Sequence, residues 1–112
     1  MAAHNDLGKE GESIAKQYLL QHQYVILETN YIIQKAEFDF IVRDPKGILT
    51  FIEVKTRFSV IDMAEKAVSK AKQRILFNGA EQFKYKFNLE EECYFDVLSI
   101  QIQPKKEPTI YH

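Results

Sequence analysis

The turn signal Asp44-Pro45-Lys46-Gly47 separates two apolar runs and limits the fold more than any other stretch of the chain. Asp at the first position, Pro at the second and Gly at the fourth are the residues that a type I turn prefers. The flanking runs, residues 37–43 and 48–56, are rich in the β-branched and aromatic side chains typical of strands. The sequence therefore predicts a β-hairpin here.

The loop of this hairpin decides which side chains share a face. A type I turn with Gly47 in the left-handed conformation leaves a three-residue loop and pairs Asp44 with Ile48. In that register Asp39 lies opposite Glu53, and we expect their carboxylates to come within reach of one ion. The other face then collects the predicted core side chains Phe38, Phe40, Val42, Thr50, Ile52 and Val54. A slip of one residue would exchange the two faces.

Helical and strand patterns on both sides of the hairpin complete the predicted fold. Residues 6–22 follow a helical period, and residues 24–34 have the composition of a strand. A second helical pattern extends to Phe83, with a break at Ser69 as a candidate cap, and residues 93–103 form the last strand. Because a helix connects the third and fourth strands, these two should be parallel. This order, α-β-β-β-α-β, predicts an α/β fold with a mixed sheet flanked by helices.

Size and composition favour one globular domain. The chain has 112 residues, 46% of them apolar, and only seven Gly and Pro together. We expect the domain to span residues 1–103, followed by a loose tail over residues 104–112. No apolar run approaches the roughly 18 residues of a membrane-spanning helix, and the N-terminus lacks the layout of a secretory signal. A single cysteine, Cys93, favours a reducing compartment. These features predict a cytoplasmic protein without membrane contact.

Three charged residues interrupt the apolar strands of the hairpin. Asp39 lies within one strand, and Glu53 and Lys55 project to the same side of the other. A buried carboxylate needs donors, a cation or a metal to offset its desolvation, and oxygen ligands of this kind suit Mg²⁺. The alternative is a strand end that emerges into water with a simple ion pair, since a Glu-x-Lys triplet is common by chance. The histidines are too scattered to form a zinc site.

Glu12 and a basic segment provide further candidates. Glu12 lies at the border of the apolar stripe of the first helix, although an ordinary first-turn acid stabilised by the helix dipole is the simpler interpretation. The net charge of −1 does not indicate nucleic-acid binding. Basic residues nevertheless accumulate between positions 55 and 74, and a solvated helix face is the alternative explanation for them. The candidate phosphate contacts in this segment are Arg57, Lys70, Lys72 and Arg74.

Several short motifs match a known family in order, from about Asn5 to Ile100. They are Gly11-Glu12, Asn30-Tyr31, Glu37-Phe38-Asp39-Phe40-Ile41, Phe51-Ile52-Glu53-Val54-Lys55-Thr56-Arg57, Ala67-Val68 with Lys72, and Phe95-Asp96-Val97. Together they resemble the YraN-type family of uncharacterised bacterial proteins. That family is similar to the PD-(D/E)xK nucleases, which include archaeal Holliday-junction resolvases and restriction endonucleases.

The resemblance implies a restriction endonuclease-like or tRNA endonuclease-like fold and metal-dependent hydrolysis of phosphodiester bonds. It implies that Asp39 and Glu53 bind Mg²⁺ or Mn²⁺, that Glu12 is an accessory acid ligand, and that Lys55 orients or activates the attacking water. The implied substrate is nucleic acid, with DNA and branched DNA favoured, and a homodimer follows by analogy with resolvases. Two alternatives remain open: a nucleic-acid-binding module without catalysis, and a protein-interaction domain.

The chain also departs from the family pattern at three positions. Ile32 and Tyr94 stand where the family usually has an arginine, and Ala36 stands where it has a glycine. The loss of two cations would weaken phosphate contacts. The four implied catalytic positions are intact.

Overall fold

Two helices and five strands make up the part of the chain that the structure describes. The structure is a computed structural model, and it describes residues 2–57, 69–103 and 105–112. The elements are α1 (Ala2–Gln21), β1 (Val25–Ile33), β2 (Ala36–Arg43), β3 (Leu49–Arg57), α2 (Lys70–Lys86), β4 (Cys93–Gln101) and β5 (Thr109–Tyr111). The predicted α/β fold is confirmed. Residues 67 and 68, predicted to belong to the second helix, lie outside the described residues. Within the described ranges, neither helix is long and apolar enough to cross a membrane.

The strands form one mixed sheet in the order β1-β2-β3-β4-β5. Neighbouring strands are antiparallel except β3 and β4, which are parallel and separated in sequence by α2. This confirms the predicted parallel pair. Ser69 caps α2 as predicted, because its side chain accepts a hydrogen bond from the Lys72 amide.

The hairpin turn adopts the predicted geometry. Gly47 has φ +87°, and the Asp44 amide donates to the Ile48 carbonyl at 2.9 Å. The Asp44 carboxylate accepts hydrogen bonds from the Lys46 and Ile48 amides, both at 2.8 Å. Arg43 pairs with Leu49 on the other strand. The three-residue loop is therefore confirmed, and so is the predicted register from Arg43–Leu49 to Phe40–Ile52, where the pairing ends.

Each face of the sheet packs against one helix. The cluster on the α1 face contains Ala15, Leu19, Phe40, Val42, Ile52, Leu98 and Ile100. The cluster on the α2 face contains Ala36, Phe38, Ile41, Leu49, Phe51, Ala80 and Phe83. The placement of Phe38 corrects the prediction that it shares a face with Phe40. The alternation of β2 changes at Asp39, between these two phenylalanines, so the residues before it are turned towards α2.

The C-terminal segment is not the loose tail that the sequence predicts. Thr109–Tyr111 forms β5, which pairs with β4 from Ser99 to Gln101. Ile110 packs against the α1-face cluster. His112 Nε2 lies 3.0 Å from the Asp96 carboxylate. Strand pairing, the packing of Ile110 and the hydrogen bonds of His112 with Asp96 and Tyr18 therefore hold a segment whose prolines and charges suggested disorder.

Close packing of α1 on β3 depends on the missing side chain of Gly11. A Cβ at this position would lie 2.9 Å from Thr56 Cβ, whereas a Cβ at Gly8 would meet nothing within 4 Å. We expect Gly11→Ala to lower the free energy of unfolding by about 1–3 kcal/mol through overpacking. Gly8→Ala, the matched control, should raise it by about 0.5–1 kcal/mol because alanine favours the helix. Urea unfolding of both variants measures the difference, and equal stabilities would contradict the close contact.

Candidate functional site

The candidate site lies where β2 and β3 stop pairing. The backbone ladder between them ends at Phe40 and Ile52, although both strands continue beyond these residues. Asp39, which immediately precedes Phe40 in β2, accepts a hydrogen bond at its Oδ2 from the Val54 amide at 2.7 Å. A side-chain carboxylate thus replaces a backbone carbonyl as the partner of β3. This substitution places an acid between the two strands.

Asp39 and Glu53 line one cleft of about 510 Å³ on the α2 side of the sheet. Glu53 Oε2 lies 3.0 Å from Lys55 Nζ and 3.5 Å from Lys72 Nζ. Lys72 comes from the first turn of α2, and Lys55 from β3 itself. Their side chains are 51% and 30% exposed, so both ammonium groups keep contact with water. The described lining of the cleft therefore combines the acids Glu37, Asp39 and Glu53 with Lys35 and Lys72, and Lys55 reaches Glu53 from β3.

The two acids have opposite electrostatic environments. Burial raises the pKa of Asp39, and the negative charges of Glu12, Glu53 and Glu37 raise it further against the lowering effect of the Val54 hydrogen bond. For Glu53, burial alone would also raise the pKa, but the hydrogen bonds and charges of Lys55 and Lys72 outweigh it, and the pKa is lowered. The two lysines thus favour the ionised form of Glu53, whereas burial and neighbouring acids disfavour the ionised form of Asp39.

Glu12 reaches this region from the opposite side of the sheet. It belongs to α1, and Asn30 Nδ2 donates to its Oε1 at 3.4 Å. Its charge raises the pKa of Asp39, in addition to the larger effect of burial. Glu12 does not appear among the described residues that line the cleft, and its part as an accessory acid stays a prediction.

The predicted phosphate contacts are not equally close to the acids. Lys72 lines the cleft. Lys70 and Arg74 are exposed on the same end of α2 and do not appear among the described residues that line it. Arg57 is half-buried at the end of β3 and donates to the Thr56 carbonyl at 3.0 Å. Lys72 extends to Glu53, a candidate metal ligand, at 3.5 Å.

The donor set fits a hard divalent cation. Across the described ranges, no three Asp, Glu, His or Cys side chains are already gathered as a metal cage. Asp39 and Glu53 nevertheless supply oxygen ligands in one cleft, and burial together with neighbouring negative charges raises the pKa of Asp39. A divalent cation would offset that charge, and Mg²⁺ needs only one or two protein carboxylates because it retains waters.

Two contacts of this region were not foreseen from the sequence. Asn30 appeared only within a family motif, and its left-handed φ of +49° gives no sequence signal beyond the tolerance of asparagine for that conformation. The ion pair between Lys72 and Glu53 depends on where α2 packs. Ala36 is also accommodated by packing, because Gly79 of α2 faces its methyl group.

The fold and the cleft define an α/β protein with a lysine-flanked acidic site at the end of a strand pair. The model of Uncharacterised protein family UPF0102 matches residues 11–100, and the chain belongs to this family.

Its relatives match over nearly the whole chain. A UPF0102 protein of Flavobacterium psychrophilum is 38% identical over 113 residues, which cover 100% of this chain and 93% of the relative. A UPF0102 protein of Geobacter metallireducens is 40% identical over 115 residues, with the same coverage. One from Trichlorobacter lovleyi is 37% identical over 108 residues, covering 95% of this chain and 85% of the relative.

Proposed function

We propose that this protein is a metal-dependent nuclease that hydrolyses phosphodiester bonds in nucleic acid, with DNA, including branched DNA, as the favoured substrate. The observation that carries the proposal is the meeting of Asp39, Glu53 and Lys55 where the β2–β3 ladder ends. The family motifs described above add the PD-(D/E)xK relationship to this argument. We also propose that the protein acts in the cytoplasm.

The charge distribution supports a catalytic role over a purely structural ion pair. A structural pair needs Glu53 and one lysine, and it gains nothing from a second, half-buried acid. Partial burial raises the pKa of Asp39 and neighbouring like charges raise it further, an arrangement that costs stability. Perturbed acids in a cleft are typical of functional sites.

Each group has a distinct part in the proposed reaction. Asp39 and Glu53 hold Mg²⁺ or Mn²⁺, and Glu12 is the accessory acid. The bound cation supplies Lewis-acid polarisation of a phosphoryl oxygen. Lys55 orients the attacking water and offsets the negative charge that develops on the phosphate. Lys72, Lys70, Arg74 and Arg57 contact the phosphate backbone.

A second candidate is a nucleic-acid-binding module that does not cut. The observation that favours it is the pairing of Glu53 with both Lys55 and Lys72, which already neutralises this acid without a metal ion. Binding through these lysines would weaken as the salt concentration rises, because the counterions released on binding then contribute less free energy.

The deciding experiment is incubation with single-stranded, linear duplex, flapped and four-way DNA, and with matching RNA, in Mg²⁺, Mn²⁺ or EDTA. We expect cleavage of DNA with either metal, no cleavage in EDTA, and faster cleavage of branched forms. Salt-dependent binding without cleavage would select the second candidate. The absence of both binding and cleavage would favour a protein-interaction domain. Light scattering of the same sample tests the homodimer expected by analogy with resolvases.

A further inference from the structure

Asn30 of β1 is held in an unusual backbone conformation directly across from Asp39. Its φ is +49°, in the left-handed region that few residues other than glycine adopt. Its neighbours pair with the neighbours of Asp39, since Thr29 faces Phe40 and Tyr31 faces Phe38. The irregular residue of β1 and the acid that ends the β2–β3 ladder therefore lie side by side in the sheet.

The side chain of Asn30 connects this point to α1. Its Nδ2 donates to Glu12 Oε1 at 3.4 Å. Glu12 and Asp39 carry like charges, and their repulsion favours rotamers that move the Glu12 carboxylate away. A long glutamate side chain also gains entropy by leaving a fixed position. The Asn30 amide opposes both effects because it gives the carboxylate a hydrogen-bond donor on β1, the strand that pairs with the strand of Asp39.

We infer that Asn30 is a positioning residue, whose amide holds the Glu12 carboxylate beside Asp39 so that one divalent cation meets both acids. The inference deepens the proposed function and rests on it for the use of the cation. Asparagine meets two requirements at once, since it tolerates the left-handed region and its amide is a donor. Glycine meets only the first requirement.

The first test measures Mn²⁺ binding to the protein without nucleic acid. The electron paramagnetic resonance signal of free Mn²⁺ is the readout. Asn30→Gly keeps the backbone conformation and removes the amide. We expect this variant to bind Mn²⁺ about 10-fold more weakly, the lower end of the effect of losing a residue that orients a metal ligand. Its melting temperature without metal should be unchanged or higher, because glycine adopts positive φ without steric cost.

Asn88→Gly is the matched control. Asn88 also has a left-handed φ, +57°, but it follows α2 and lies outside the cleft. Its replacement should leave Mn²⁺ affinity unchanged. In cleavage assays Asn30→Gly should raise the Mn²⁺ concentration for half-maximal rate and leave the rate at saturating metal within about threefold, as expected for a residue that acts through binding.

A double-mutant cycle shows whether Asn30 acts through Glu12. Glu12→Gln alone should weaken Mn²⁺ binding, and adding Asn30→Gly to it should have no further effect. The Glu12→Gln measurement also stands by itself if Asn30→Gly fails to fold, because unchanged affinity in Glu12→Gln overturns the inference. Additive losses in the cycle would overturn it too.

The outcomes separate this inference from the proposed nuclease activity. Wild-type affinity in Asn30→Gly, together with lost affinity in Asp39→Asn, overturns the role of Asn30 and leaves the nuclease proposal intact. Mn²⁺ binding that depends on Asn30 and Asp39, without cleavage of any substrate, overturns the nuclease proposal alone. Absence of saturable Mn²⁺ binding by the wild-type protein overturns both.

Discussion

Replacement of Glu53 by glutamine is expected to lower metal-dependent cleavage on the order of 10²–10³-fold and to leave the fold intact. The change removes a proposed metal ligand and the carboxylate that lies 3.0 Å from Lys55 Nζ. Stability should change little, because Lys55 and Lys72 both reach water and neither becomes a buried unpaired charge. Single-turnover cleavage at saturating Mg²⁺, with circular dichroism of the same sample, measures both quantities.

Glu81→Gln is the control for this experiment. Glu81 also pairs with a lysine, Lys84 at 3.7 Å, but it lies on α2 outside the cleft. This variant should cut at the wild-type rate. A Glu53→Gln protein that cuts like the wild type would remove Glu53 from the proposed chemistry.

Asp39→Asn is expected to abolish cleavage and Mn²⁺ binding while making the metal-free protein more stable at neutral pH. Burial and three neighbouring carboxylates raise the pKa of Asp39 in the folded state. Asparagine removes the charge and keeps an oxygen that can accept the Val54 hydrogen bond. We expect a gain on the order of 1 kcal/mol, which corresponds to about 4–8 °C in Tm for a domain of this size.

The pH dependence of this gain follows from the direction of the pKa shift. Because the folded-state pKa of Asp39 is raised, the folded protein binds its proton more tightly than the unfolded chain does. The stability of the wild type therefore falls as pH rises through that pKa. The advantage of Asp39→Asn should be complete above the folded-state pKa and vanish below the ordinary aspartate value of 3.8.

Thermal unfolding of both proteins from acidic to neutral pH, with and without Mg²⁺, tests this pattern. Mg²⁺ should raise the Tm of the wild type and not that of Asp39→Asn. Asp96→Asn is the control with the opposite expectation, because it removes an acid that pairs with His112 and should not stabilise. A less stable Asp39→Asn at neutral pH would show that the carboxylate has enough partners in the metal-free protein.

The hairpin was predictable because its determinants are local. The turn residues set a three-residue loop, and that loop set the register that aligns β2 with β3. Asp39, Glu53 and Lys55 were predicted as a candidate site because a charge within an apolar strand needs a partner that offsets its desolvation. Ser69 indicated the start of α2 because a serine hydroxyl can accept a hydrogen bond from an amide of the first helical turn.

The remaining features depend on contacts between distant segments. Phe38 was assigned to the wrong face because strict alternation fails where Asp39 accepts a hydrogen bond from Val54, 15 residues away. β5 was missed because three residues give a weak strand pattern, and its partners lie on β4. The contacts of Lys72 with Glu53 and of Asn30 with Glu12 depend on how two helices pack on the sheet.

The buried residues and the charged residues of the cleft are separate sets. Neither apolar cluster contains an acid or a lysine of the cleft. Selection for a new substrate, in nature or in a laboratory library, can therefore vary positions such as Lys72, Lys35 and Glu37 without repacking either side of the sheet. A library restricted to these rim positions should retain a high fraction of folded members, whereas one that includes Phe51 or Ile52 should lose most of them.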